Sequence, residues 1–198
     1  ANAALLNFED ATSHTITVQA SDGAGPTTAQ TFTINVTDVN EAPTVTSGAT
    51  ASVAENAPAS TVVYTATATD PDTTAPNNTK TWSLTGTDAS LLSINSSGQV
   101  TLNTSANFEA KSSYSFNVVD TDGGGLTGSK AVVLSITDVN EAPTVTSGAT
   151  ASVAENAPAS TVVHTATATD PDTTAPNNTK TWSLTGTDAS LLSINSSG

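Results

Sequence analysis

Short stretches in which apolar and polar residues alternate recur along the chain: SHTITVQA from Ser13, AQTFTINV from Ala29, TVVYTATATD from Thr61, TKTWSLTG from Thr79, LLSI from Leu91, QVTL from Gln99, SYSFNVVD from Ser113 and KAVVLSITDV from Lys130. Each is rich in β-branched residues and bounded by Gly, Pro, Asn and Asp, and a period of two predicts strands with one buried face. No helical period of 3.6 residues competes. About seven strands per 100 residues predict an all-β fold: a seven-stranded antiparallel Greek-key sandwich around one core. Trp82 is expected in that core.

The pattern repeats. Sliding the sequence by 100 residues aligns it with itself, and between Thr37–Gly98 and Thr137–Gly198 only Tyr64 and His164 differ. The opening segment aligns more loosely, with NFE at Asn7 returning at Asn107 and DGAG at Asp22 facing DGGG at Asp122. Tandem sandwiches joined end to end are therefore expected. Residues 1–40 form the last part of one repeat, 41–140 a complete repeat, and 141–198 the first part of a third, with four strands. Neither partial repeat closes a two-sheet core by itself, so each exposes apolar faces and unpaired edges. Together the two parts amount to almost one repeat. The chain reads as a window on a longer repetitive polymer, with neighbouring copies of the same repeat as head-to-tail partners.

Eighteen acidic residues against four basic ones give a net charge of −14 and a pI near 4.1, while 36% of residues are hydrophobic. Such a chain repels nucleic-acid phosphates and anionic lipid and attracts cations. Without cysteine it has no disulfide framework, thiolate metal site or thiol nucleophile. No apolar run approaches the roughly 18 residues of a membrane span, so membrane insertion is not expected.

The carboxylates are clustered. Fourteen of the eighteen fall in VAEN, TDPD, NFE, TDGGG or DVNEAP and their equivalents, leaving Asp10, Asp88, Asp120 and Asp188 outside. These motifs, in this order and over the whole chain, resemble those of cadherin repeats in their bacterial form. The family's glutamate motif matches Glu55, its DxD matches Asp70 and Asp72, its DRE appears as NFE, its AxD as DTD or ASD, and its DxNDN linker as DVNEA.

The resemblance implies two or three Ca2+ ions at each junction between sandwiches. Chemistry points the same way, because calcium takes six to eight oxygens from carboxylates, amides and backbone carbonyls. Two carboxylates about 5 Å apart repel by roughly 3 kcal/mol at an effective dielectric near 20, so a cluster of them needs a cation. At the junction at 138–143 the implied ligands are Glu55, Asn107 and Glu109 below, then Asp138, Val139, Asn140, Glu141 and Ala142 in the linker. Asp170 and Asp172, with Asn177 or Asn178, come from above. At the junction at 38–43 they are Asn7, Glu9, Asp38, Val39, Asn40, Glu41, Ala42, Asp70, Asp72, Asn77 or Asn78, and Asp122. The valines and alanines act through their carbonyls. In a polymer, Glu155 joins the cluster holding Glu9 of the following copy, and Asp22 joins the one holding Asp170. Asparagine for acid at Asn7 and Asn107, and glutamate for aspartate at Glu41 and Glu141, depart from the family and are expected to weaken or remove one ion per junction.

Other chemistry does not fit. DPDTTAPNNTKT lacks the glycine and closing glutamate of an EF-hand, and DGGGLTG is not a nonapeptide array. Asp70 and Asp72 sit beside a linker rather than across a cleft, as glycoside hydrolysis requires. His14 and His164 occupy places where other repeats have tyrosine, which argues against a base. No nucleophile elbow, phosphate loop or zinc spacing occurs. The expected function is that of a calcium-rigidified structural or adhesive repeat of a bacterial surface adhesin or extracellular fibre, not an enzyme. The affinity class of extracellular calcium modules places it at the cell surface. The alternative is a calcium-dependent carbohydrate- or partner-binding module of a secreted protein, for which surface glycans would be the ligand.

Overall fold

The computed structural model describes residues 6–198. The chain opens with an antiparallel hairpin, β1 (Ser13–Ala20) and β2 (Thr28–Asn35). A full sandwich follows, built from β3 (Thr44–Val45), β4 (Thr50–Ala54), β5 (Val62–Thr65), β6 (Ala68–Thr69), β7 (Thr81–Thr85), β8 (Leu92–Ile94), β9 (Gln99–Leu102), β10 (Ser113–Thr121) and β11 (Thr127–Thr137). One sheet has the order β4-β11-β10-β7; the other combines β5-β9-β8 with the short β3-β6 pair.

These nine segments are seven strands, two of them broken. The first strand starts against β6 as β3, crosses at Ser47–Gly48, and runs parallel to β11 as β4, the one parallel pairing among the described ladders. Tyr64 pins the crossing: its hydroxyl donates to the Gly48 carbonyl (2.6 Å) and meets the Ser47 hydroxyl (2.7 Å).

Alternation decides what lies inside. β10 turns Tyr114, Phe116, Val118 and Asp120 inward, and β11 turns Val132, Leu134 and Ile136 inward against Val100 and Leu102 of β9. Phe116 and Tyr64 meet edge to face, centroids 6.2 Å apart. Trp82 packs partly buried against this core, as expected. Gly98 holds φ +75°, and a Cβ there would come within 2.7 Å of the Ala66 carbonyl, so the turn that leads into β9 requires glycine.

Beyond the sandwich only β12 (Thr144–Val145) and β13 (Ala168–Thr169) pair. The sequence equivalents of β4, β5, β7 and β8 near 150–154, 162–165, 181–185 and 192–194 form no ladder, which is fewer than the four strands expected there. Their turns persist: the 3-10 turn at Ala189–Leu191 repeats the one at Ala89–Leu91, and Ala166 N–H donates to the Gly198 carbonyl as Ala66 does to Gly98. In the central sandwich the equivalent segments pair with β9, β10 and β11, whose counterparts lie outside residues 141–198.

Candidate metal centres

Both linkers gather oxygen atoms. At the first, one carboxylate oxygen each of Glu9, Asp38, Glu41 and Asp72 lie within 4.8 Å of one another. At the second, Glu55, Glu109 and Asp138 form one such group and Glu109, Glu141 and Asp172 another, with Glu109 shared. Shifted by 100 residues these are the same set, with Glu55 added.

Backbone amides position the carboxylates. Asp72 accepts from Glu41 N–H (2.9 Å), and Asp172 from Glu141 N–H (2.9 Å), which holds the top of each following unit to its linker. Asp70 accepts from Asp72 N–H (3.0 Å), and Asp170 from Asp172 N–H (3.2 Å). Glu55, 2% exposed, bridges two segments by accepting from Phe108 N–H and Val139 N–H, both at 2.8 Å. Asn40 donates to Asp122 (3.0 Å), whose other oxygen accepts from Leu126 N–H (2.9 Å). The glycines of DGGG permit this approach: a Cβ on Gly123 would meet the Pro76 carbonyl, and one on Gly124 would stand 2.6 Å from the Asn40 side chain.

The second oxygen of these groups has no partner. Oε2 of Glu41 and Glu141, Oδ2 of Asp70 and Asp170, and Oδ1 of Asp72 and Asp172 are all buried without a hydrogen bond, and so are Asn40 Oδ1, Glu109 Oε2 and Asp138 Oδ1. A buried acceptor with no donor is costly, and an isolated one is rare in native folds. The same three atoms orphaned at both linkers form an acceptor-only lining, which fits a hard cation that takes oxygen ligands.

The electrostatics carry the same strain. Burial, then the charges of Glu9, Asp72, Asp38 and Asp70, push the Glu41 carboxyl above its usual range. Burial and Asp172 raise Asp138, with Glu55 adding to it. Glu109 is lowered by its own backbone N–H, but burial and the charges of Glu55, Glu141 and Asp138 outweigh that and raise it. Burial also acts to raise Asp122, yet donation from Leu126, Asn40, Gly125 and Gly124 holds it below the usual range.

Other expected ligands are placed differently. The Asn7 and Asn107 side chains cap turns, accepting from Glu9 N–H (3.0 Å) and Ala110 N–H (2.7 Å). Asn177 reaches Asp138 (3.3 Å), whereas Asn178 donates to the Thr173 carbonyl, so Asn177 is the asparagine at that cluster. Val39 and Val139 point their side chains outward. Asp22 caps its own loop through Ala24 and Gly25 N–H, and Glu155 is exposed; neither meets a linker within the chain.

Sequence reasoning missed Asn56. It stands at φ +59° and donates to Glu141 (2.7 Å), which ties the bottom of the sandwich directly to the linker. Its only sequence signal was its place after Glu55 in both copies of VAEN. Asp88, outside the clusters, has a separate structural role: it accepts from Ser115 N–H (2.7 Å) and pairs with Lys111 (3.0 Å).

Comparison with known proteins bears on the sandwich itself. Residues 49–137, the body of the sandwich, match the family model of the cadherin domain. Protocadherin gamma-A9 of Homo sapiens is 35% identical over 167 residues, covering 80% of this chain and 18% of that protein. Protocadherin Fat 4 of Mus musculus is 31% identical over 154 residues, 74% of this chain and 3% of that protein. The chain thus spans less than a fifth of these curated relatives. Among solved structures, EC22-24 of mouse cadherin-23 superposes with a TM-score of 0.68 at 27% identity, covering 97% of this chain and 64% of that one. The EC1-4 structure of PcdhgB3 gives 0.64 at 28%, covering 88% and 44%. The family model and the relatives together support membership in the cadherin domain family.

Proposed function

From a chain whose central sandwich carries a cadherin domain, we propose a calcium-rigidified spacer: an extracellular, adhesive array in which Ca2+ at each linker fixes how one sandwich stands on the next. The observation that carries this reading is the repeated set of orphaned oxygens on Glu41, Asp70 and Asp72 and on Glu141, Asp170 and Asp172. When bound, the cation supplies positive charge and the missing bonds to these oxygens. The chain's own residues present it with donors from three places: the bottom of one unit (Glu55, Glu109), the linker (Asp138, Glu141) and the top of the next (Asp172). A ligand set drawn from three segments resists bending between them.

In this reading the units are 1–40, 41–140 and 141–198. Two or three ions occupy each junction, held by the clustered carboxylates with Asn40, Asn177 and the linker carbonyls of Val39, Val139, Ala42 and Ala142. Neighbouring repeats of the same long chain are the partners. The curated relatives named above are animal proteins; a bacterial surface adhesin or fibre as the parent rests instead on the near-identity of successive repeats.

Small-angle scattering of the chain tests the reading. In millimolar calcium the longest dimension is expected to be that of a stiff rod with a narrow distribution; in chelator it should shorten and broaden. Equal profiles in the two buffers would remove the mechanism.

A further inference from the structure

The turn that carries Glu55 is clamped residue by residue to the loop before β10. The Glu55 carboxylate accepts from Phe108 N–H (2.8 Å), Asn56 N–H donates to the Ala106 carbonyl (3.0 Å), and the Ala57 carbonyl accepts from the Ser105 hydroxyl (2.9 Å). Asn56 holds a left-handed backbone at φ +59°, and Asn156, in the second copy of the motif, does the same at φ +61°. Asparagine tolerates that region better than most residues with a side chain, so the turn sets this backbone locally. The Asn56 amide therefore stands on a fixed base under the linker.

Glu141 is gripped from three sides. Its N–H donates to Asp172 (2.9 Å), its carbonyl accepts from the Asn140 side chain (3.3 Å), and its Oε1 accepts from Asn56 Nδ2 (2.7 Å). Only Oε2 is left, buried and without a hydrogen bond. Glu141 also belongs, with Glu109 and Asp172, to a group whose carboxylate oxygens lie within 4.8 Å of one another. Because Asp172 and Asn140 hold the backbone of Glu141, the length of its side chain decides its reach. An aspartate is shorter by one C–C bond, about 1.5 Å, and could not meet both Asn56 and that group.

We propose that Asn56 is the positioning residue of the second linker, and that it makes glutamate rather than aspartate the fitting ligand at position 141. The inference deepens the calcium reading given above and rests on it. It reverses the expectation, drawn from the family pattern, that glutamate at this place weakens or removes an ion. Asn56 holds one oxygen of Glu141, which fixes the rotamer and leaves the other oxygen to the group with Glu109 and Asp172. Partners of this kind orient metal ligands, and changing them costs about 10–100-fold in metal affinity.

Calcium titration of the whole chain, followed by NMR at the backbone amides of Val139 and Glu141, tests this. Asn56→Gly removes the side-chain donor and keeps the left-handed backbone, which glycine adopts readily. Glu141→Asp keeps the charge and shortens the reach. Each should raise the half-saturating calcium concentration at this linker about tenfold or more. The double variant should lose little beyond either single one, because both break the same contact. In chelator Asn56→Gly should melt close to the wild type, which separates a positioning loss from a folding loss, and Glu141→Asp should shift the Asn56 side-chain NH2 signals. Unchanged half-saturation in Asn56→Gly, tighter binding by Glu141→Asp, or losses that add in the double variant would overturn the proposal and leave the spacer reading intact. A wild-type chain whose Val139 and Glu141 signals ignore calcium would sink both.

Discussion

Replacing Glu55 by glutamine separates what the cation contributes from what the protein contributes alone. The carboxylate is buried and accepts two backbone N–H bonds, from Phe108 and Val139, both at 2.8 Å. A glutamine of the same size keeps one acceptor and turns an NH2 toward the other amide. That loses one charge-assisted hydrogen bond and leaves a buried donor unmet, a cost of about 1.5–3 kcal/mol. Without metal, removing one charge beside Glu109 and Asp138 acts in the opposite direction, so the net change in chelator should be smaller than the hydrogen-bond cost. With calcium the relief disappears, because the cation already neutralises the cluster, and a ligand is lost as well. Changes to outer-shell partners alone cost about 10–100-fold in metal affinity, or roughly 1.4–2.7 kcal/mol, and a ligand should cost no less. For a domain of this size each kcal/mol moves the melting midpoint by about 4–8 °C. Thermal melts of wild type and Glu55→Gln, in 10 mM calcium and in chelator, should therefore show a deficit in calcium at least 6 °C larger than in chelator. Equal deficits in the two buffers would mean that Glu55 is only a structural bridge.

Three further outcomes follow from particular residues. Glu41, Glu109 and Asp138 have raised carboxyls in the metal-free chain, so their contribution to stability is full below the ordinary carboxylate value near 4 and is lost as pH rises through the raised values; acidification from pH 7 toward 5 should raise the melting temperature in chelator and, by displacing the cation, lower it in calcium, whereas parallel curves would refute the assignment. Leu134→Ala, at a position with no exposed surface, should destabilise the central sandwich by about 2–5 kcal/mol, read as a drop in denaturant midpoint at unchanged slope. Asp120 is fully buried, and burial raises its carboxyl, with only partial relief from Lys80 and the Thr81 backbone N–H; Asp120→Ala, the residue found at Ala20, should raise the melting midpoint at pH 7 and flatten its rise on acidification, and a lower midpoint would show that the charge is used.

Much of this architecture was legible because a two-residue period survives in strands with one buried face. β10 and β11 alternate over most of their length, as SYSF and LSIT do, which sets the phase of their inward residues. β3 and β4 were not, since TVTSGATASV is interrupted at Ser47–Gly48, where the strand changes sheets, and the partner of β4 lies more than eighty residues away. At the linkers the grouping of acids was visible, yet which asparagines reach the clusters was not. Asparagine oxygen is equally good as a turn cap, and Asn7 and Asn107 are used that way. Asn56 escaped notice because its contribution is a donor to Glu141 from a left-handed residue, and neither feature has an acidic signature.

The clusters also divide labour within single side chains. Asp72, Asp172, Asp70, Asp170, Asp138 and Glu141 each have one oxygen held by a neighbouring N–H and the other free. The held oxygen fixes the rotamer before any cation arrives, so little side-chain entropy remains to be lost on binding. It also offsets part of the mutual repulsion, which lets the acids stay close in the metal-free chain. On the proposed reading a cation bound there would have little to rearrange within a sandwich, and its effect would concentrate on the linker, where the clustered carboxylates come from separate units. Calcium should therefore change the angle distribution between sandwiches far more than the fold of any one of them: in chelator the amide protons of β10 and β11 should keep their exchange protection while those of Glu41, Val139 and Glu141 lose theirs.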